Sequence, residues 1–131
     1  MNNFEEKRRE LGLECSILIS DFYYLNNLDS YIKLIESFLN YQIDVEEFKR
    51  NFYQINRLDR NKDHKWEDML YIINNLKLKQ FQGISSIISK LFTDLDVFEG
   101  DPLLREGYEI SEEELRDFAK DALSKLKNYS Y

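Results

Sequence analysis

Apolar residues recur at intervals of three and four along most of the chain, the spacing that places side chains on one face of an α-helix. The most regular stretch starts at Leu28, and its apolar positions are Leu28, Tyr31, Ile32, Ile35, Phe38 and Leu39. Similar spacing predicts further helices over about 2–26, 45–55, 66–78, 84–95 and 112–126. No stretch combines period-two alternation with turn dipeptides, so strands are not predicted.

Local signals mark several helix boundaries. Two capping boxes, in which an Asp or Ser is followed three residues later by Glu, predict helix starts at Asp44 with Glu47 and at Ser111 with Glu114. Residues 40–43 should end the helix that begins at Leu28, and Gly83 should mark a break. The polar run from Arg57 to Lys65 is interpreted as a loop.

These elements predict an all-α fold, an antiparallel four-helix-bundle core with an additional N-terminal helix. The chain has 131 residues, of which 43% are apolar and 15% aromatic, enough for one domain spanning 1–131 with its own core. The single cysteine, Cys15, excludes an internal disulfide and suits a reducing compartment. Neither a membrane span nor a signal peptide is recognisable, so a cytoplasmic protein is expected.

Charge is concentrated in one segment. Residues 92–117, the acidic segment, hold ten carboxylates and two arginines, a local charge of −8 in a chain whose net charge is −7. The rest of the chain therefore sums to +1. This distribution argues against direct nucleic-acid binding, which requires a basic face, and favours a basic protein partner.

The sequence offers little for catalysis or metal binding, so no catalytic residue, metal site or cofactor is predicted. His64 is the only histidine, and its charged neighbours indicate a solvated side chain. Twelve-residue windows starting at Asp94 and Asp59 lack the glycine and the final glutamate that a calcium loop needs. Nothing selects a pair of carboxylates for glycosidase chemistry.

Carboxylates at a helix C-terminus are unfavourable, so Asp94, Asp96 and Glu99 are expected to destabilise the fold and to be present for a partner. Apolar residues interleave with the acids, as at interfaces where aromatics supply affinity and charges supply association rate. The predicted partner-binding residues are Asp94, Asp96, Phe98, Glu99, Asp101, Leu104, Glu106, Tyr108 and Glu109.

Two stretches together resemble the colicin D immunity family, which includes immunity proteins of contact-dependent growth inhibition systems. They are YIKLIESFLNYQIDVEEFKRNF from Tyr31 and SKLFTDLDVFEGDPLLREGYEISEEELRDFAKDAL from Ser89. The positions that carry the resemblance are Ile43, Glu47, Phe48, Leu91, Phe92, Asp96, Phe98, Asp101, Arg105, Glu114, Leu115 and Arg116. Residues 1–27 look like additional N-terminal length.

The resemblance implies an all-α immunity protein, not an enzyme, that binds the C-terminal nuclease domain of a cognate toxin, typically one that cleaves tRNA. An acidic loop containing Asp96 and Asp101 would occupy the basic cleft that holds RNA phosphates. The alternative hypothesis is a helical adaptor or regulator that binds another basic protein. A small carboxylate-based enzyme is a third, weaker hypothesis.

Overall fold

The computed structural model describes residues 13–60 and 83–129, with side chains from residue 20 to residue 59 in the first part. Within these ranges the chain is an all-α helical bundle. Its five helices are α1 (Leu13–Asn26), α2 (Leu28–Leu39), α3 (Val45–Arg60), α4 (Ile84–Asp96) and α5 (Glu112–Leu126). The predicted helix over 66–78, His64 and the side chain of Cys15 lie outside the described residues.

Most predicted boundaries agree with the structure, and one is wrong. Asp44 Oδ1 accepts a hydrogen bond from the Glu47 backbone N–H at 2.8 Å, which caps the start of α3. Gly83, with φ +105°, immediately precedes α4. However, α3 continues to Arg60, so residues 57–60 of the expected loop are helical. The last turns of α3 are polar in sequence, which is why a loop was expected. In the structure Asn56 and Asp59 are nevertheless buried.

Aromatic rings join α2 to α3 in the core. Phe38 and Phe48 stack with centroids 4.3 Å apart, and Phe48 meets Phe52 edge-on at 6.1 Å. Tyr31 continues this row against Phe52 at 5.6 Å. Such pairs add about 0.5–1.5 kcal/mol beyond the burial of their area. The last helix, α5, packs on α2 and α4. Its buried residues are Leu115, Ala119, Ala122 and Leu126.

The N-terminal helix belongs to the core and is not an appendage to it. Tyr24 and Leu25 are part of the main hydrophobic cluster, and α1 packs on α4. The buried Asp21 carboxylate accepts hydrogen bonds from the backbone N–H groups of Gly83 (3.1 Å) and Ser85 (2.7 Å). Asp21 therefore caps α4 from a different helix, because no side chain at the Gly83 N-cap position can do so.

Buried polar side chains connect α1, α2 and α3. The Asp59 carboxylate accepts hydrogen bonds from the Tyr31 hydroxyl (2.7 Å) and from Asn27 Nδ2 (2.6 Å). Asn56 Nδ2 donates to the Tyr24 hydroxyl at 3.1 Å. Burial, followed by the hydrogen bond to Asp59, raises the pKa of Tyr31 far above its usual value. These contacts fix how the three helices fit together at this end.

Candidate partner-binding site

The connection between α4 and α5, residues 97–111, forms an ordered acidic loop. Its two ends are held together by backbone hydrogen bonds from Glu99 N–H to the Ile110 carbonyl (3.0 Å) and from Ile110 N–H to the Val97 carbonyl (2.9 Å). Arg105 Nε donates across the loop to the Glu99 carbonyl at 3.0 Å. These hydrogen bonds give the acidic loop a defined shape before any partner binds.

Several acids stabilise the acidic loop itself. Asp101 Oδ1 accepts from the Leu103 N–H at 2.9 Å, while Glu99 Oε1 accepts from the Asp101 N–H at 3.1 Å. Glu109 Oε1 accepts from the Glu106 N–H at 2.8 Å. Carboxylates suit these positions because they satisfy backbone donors that have no helix or strand partner.

Asp94 and Asp96 sit in the last turn of α4 in different surroundings. Asp94 is buried, and its Oδ2 pairs with Lys90 Nζ at 2.9 Å. Asp96 is exposed and lies close to the Tyr53 hydroxyl. Burial and then the Asp96 charge raise the pKa of Tyr53. The Tyr53 hydroxyl is buried without hydrogen-bonding geometry to a partner in the described ranges.

The contacts of Asp94 and Glu99 argue against the expectation that these two acids destabilise the fold, whereas Asp96 has no such contact among the described residues. Asp94 lies at a helix C-terminus, but the Lys90 ammonium offsets the unfavourable dipole. Glu99 binds a backbone N–H of the acidic loop. Glu106 is the loop acid whose carboxylate accepts no hydrogen bond and forms no ion pair in the part of the chain described. Among the predicted site acids, Asp96 and Glu106 thus make the fewest contacts that stabilise the fold.

Three large apolar side chains project from the acidic loop. Leu103 is 93% exposed, Tyr108 69% and Leu104 66%. Phe98, predicted to be an anchor, is instead partly buried and packs against the core. Its backbone pairs with Ile110, so the ring closes the base of the loop. Leu103, the most exposed of the three, was not among the predicted site residues. Its position two residues after Asp101 in the acidic segment could have indicated an exposed contact residue.

The start of α5 extends the acidic surface. Ser111 and Glu114 form the predicted capping box, with Ser111 Oγ accepting from the Glu114 N–H at 3.1 Å. Glu112, Glu113 and Glu114 occupy the first turn, where carboxylates stabilise the positive end of the helix dipole. All three are exposed. They therefore serve the helix and add negative charge next to the acidic loop.

No feature for metal chemistry or membrane insertion accompanies the acids in the described ranges. There, no three His, Cys, Asp or Glu side chains are arranged to hold a metal ion. No helix among these residues has both the length and the apolar character needed to cross a bilayer. What the site offers is a shaped, acidic surface with exposed apolar side chains, and such a surface can bind a basic protein.

The fold and this surface define a small helical protein equipped for protein–protein contact. The sequence model of bacterial self-protective colicin-like immunity proteins matches residues 27–126. The chain therefore belongs to that family, which confirms the resemblance seen in the sequence and indicates a toxin-neutralising immunity protein. No curated protein and no solved structure matches the chain. The match begins after α1, although α1 is integral to this fold.

Proposed function

We propose that this protein neutralises a toxin by binding its C-terminal nuclease domain one-to-one, with a tRNA-cleaving domain as the expected type. The acidic loop would fill the basic cleft in which the nuclease holds RNA phosphates. The protein itself carries out no reaction and needs no cofactor. Family membership supports the inhibitor role, and the concentration of charge supports the choice of a basic cleft.

The observation that carries this proposal is the combination of order and exposure in the acidic loop. Glu99, Asp101 and Glu109 are fixed by hydrogen bonds within the loop, while Leu103, Leu104 and Tyr108 project into solvent. A loop already shaped for binding loses little conformational entropy when the complex forms. The residues proposed to contact the toxin are Asp94, Asp96, Phe98, Glu99, Asp101, Leu104, Glu106, Tyr108 and Glu109, with Leu103 added because of its exposure.

The members of this set have different proposed roles. Asp96 and Glu106 would face lysine and arginine side chains directly, since their carboxylates have few or no bonds within the described part of the protein. Asp101 and Glu99 each use one carboxylate oxygen to hold the shape of the loop. Their remaining lone pairs would accept hydrogen bonds from lysine and arginine side chains of the toxin. Phe98 supports the base of the loop, and Leu104 and Tyr108 supply apolar contact area.

Charge reversal tests the proposal. Asp96→Lys and Glu106→Lys should each weaken binding to the C-terminal nuclease domain of the cognate toxin by about 10²-fold or more, because each replaces an attraction by a repulsion. Colicin DNase–immunity pairs rank among the tightest complexes known, so a wild-type dissociation constant far below nanomolar is expected. The wild-type association rate should fall as ionic strength rises. Surface plasmon resonance, an RNA-cleavage assay and protection of toxin-exposed cells measure these effects.

Asp29→Lys is the matched control, since it makes the same change of charge at an exposed position far from the acidic loop. Asp29 shares a cavity with Lys127 and Tyr129, which follow the C-terminus of α5, whereas the acidic loop precedes its N-terminus. The control should bind and protect like the wild type. The proposal is wrong if Asp96→Lys and Glu106→Lys both do so as well. Capture of the domain without inhibition of RNA cleavage would instead favour a helical adaptor.

A further inference from the structure

Tyr41 is an exposed aromatic residue in a backbone conformation that favours glycine. It ends α2 in a Schellman motif, in which the Gln42 N–H donates to the Ser37 carbonyl (2.9 Å) and the Tyr41 N–H to the Phe38 carbonyl (3.1 Å). At this position φ is +61°, and Tyr41 is the one residue other than glycine with a positive φ in the described ranges. The side chain is nonetheless 75% exposed. Burial of the ring therefore does not explain why a tyrosine stands there.

One face of the Tyr41 ring is held by Arg116. The guanidinium carbon of Arg116 lies 4.0 Å from the centroid of the Tyr41 ring and 4.2 Å from that of Phe38. Arg116 is itself fixed, because Nη1 donates to the Phe38 carbonyl at 2.6 Å and Nε pairs with Glu112 Oε2 at 2.9 Å. The ring is thus oriented by a rigid support, while most of its surface remains open to solvent.

The surroundings of Tyr41 are acidic and continuous with the start of α5. Arg116 joins the Tyr41 ring to Glu112, the first residue after the N-cap that ends the acidic loop. Its charge is offset by Glu112, and only 14% of its side chain is exposed. The turn that contains Tyr41 leads through Asp44 into the first turn of α3, where Glu46 and Glu47 lie. The exposed part of the ring, joined to Glu112 through Arg116 and close in sequence to Glu46 and Glu47, is complementary to a lysine or arginine side chain.

We propose that Tyr41 is an aromatic anchor for the toxin nuclease domain, a second contact beside the acidic loop. The free part of the ring would take a lysine or arginine side chain at the edge of the nuclease cleft, with the carboxylates at the starts of α3 and α5 as further contacts for its charge. Tyrosine is enriched among residues that dominate binding, because it offers a large rigid contact area with a polar tip. This inference rests on the proposed function, since it assigns a further contact to the same partner.

Tyr41→Gly tests the anchor with little danger of unfolding the protein. Glycine adopts the conformation of Tyr41 freely, so the variant relieves backbone strain while it removes the ring. Its affinity for the nuclease domain of the cognate toxin should fall at least about tenfold, with a melting temperature within a few degrees of the wild type. Tyr41→Phe keeps the ring and should stay within about threefold of wild-type affinity.

Leu58→Ala is the control for removal of an exposed apolar side chain. Leu58 is 68% exposed near the end of α3, at the other end of that helix from Tyr41, and its loss should leave affinity unchanged. Wild-type affinity in Tyr41→Gly, combined with weakened binding of Glu106→Lys, overturns the anchor and leaves the proposed function standing. If the wild-type protein does not bind the nuclease domain at all, both proposals are wrong.

Discussion

Tyr31 and Asp59 show how one buried contact determines the fit of neighbouring helices. Tyr31 is fully buried, and its hydroxyl donates to Asp59 Oδ2 at 2.7 Å across 28 residues of sequence. Asn27 supplies the second donor to the same carboxylate. A buried carboxylate is stabilised only when such donors satisfy it, so loss of one donor leaves an acceptor without its bond. The network therefore resists any change in the relative positions of α2 and α3.

Tyr31→Phe should lower the free energy of unfolding by about 1–3 kcal/mol at pH 7, because Asp59 loses a donor. It should also change the alkaline behaviour. The raised pKa of Tyr31 in the folded protein means that its contribution is complete below about pH 10, where the unfolded chain still holds the proton, and is lost as pH rises further. Urea unfolding between pH 8 and 11 measures this dependence.

In those titrations the wild type should lose up to about 1.4 kcal/mol more per pH unit than Tyr31→Phe above pH 10. Both proteins retain Tyr53 and Tyr129, whose pKa values are also raised by burial, so the variant keeps a smaller slope in the same direction. Parallel profiles for the two proteins would show that Tyr31 does not contribute to the alkaline loss.

At the scale of elements, α4 depends on α1 for its first turn. Asp21 accepts hydrogen bonds from the Gly83 and Ser85 N–H groups. Gly83 also leaves room for the Tyr129 hydroxyl, since a Cβ at position 83 would lie only 2.8 Å from that oxygen. Burial and then the Asp21 charge raise the pKa of Tyr129. Three separate parts of the sequence therefore meet at the start of the helix whose other end carries the acidic loop.

Asp21→Ala should lower the free energy of unfolding by about 1–3 kcal/mol, since two partly buried backbone donors at the start of α4 lose their acceptor. Asp21→Asn keeps one acceptor oxygen and should fall between the alanine variant and the wild type. Urea unfolding measures the stability, and hydrogen exchange at Ser85 reports on the first turn directly. Unchanged exchange at Ser85 in the alanine variant would contradict the capping role.

For the whole molecule, the boundary of the family match and the boundary of the fold differ. Family similarity begins at residue 27, yet Tyr23, Tyr24 and Leu25 are buried and Asp21 supports α4. The first helix thus completes the core that positions the acidic loop. The interpretation of residues 1–27 as additional length agrees with the start of the family match, but among the described residues Asp21, Tyr23, Tyr24 and Leu25 are part of the folded core.

Deletion of residues 1–26 should therefore abolish cooperative folding or lower the melting temperature by more than about 15 °C, because several buried side chains and the cap of α4 are lost together. Circular dichroism during heating measures this effect. A truncated protein that melts like the full chain would show that the family-matched residues form a complete domain without α1.

The helices were predictable wherever their signals are local. Ser111 and Glu114 mark the start of α5, and the apolar spacing from Leu28 marks α2, because capping and amphipathic periodicity depend on near neighbours in sequence. The end of α3 was missed for the opposite reason. Asp59 is polar in sequence but buried in the fold, where its donors come from residues about 30 positions away.

The all-α architecture and the location of the acidic segment follow from the amino-acid order alone, since periodicity and charge are properties of the chain as written. Which members of that segment face outward depends on how the helices pack. Phe98 turns toward the core and Leu103 into solvent, because backbone pairing with Ile110 fixes the base of the acidic loop. The support of Tyr41 by Arg116 likewise joins residues 75 positions apart, and no local pattern encodes such a contact.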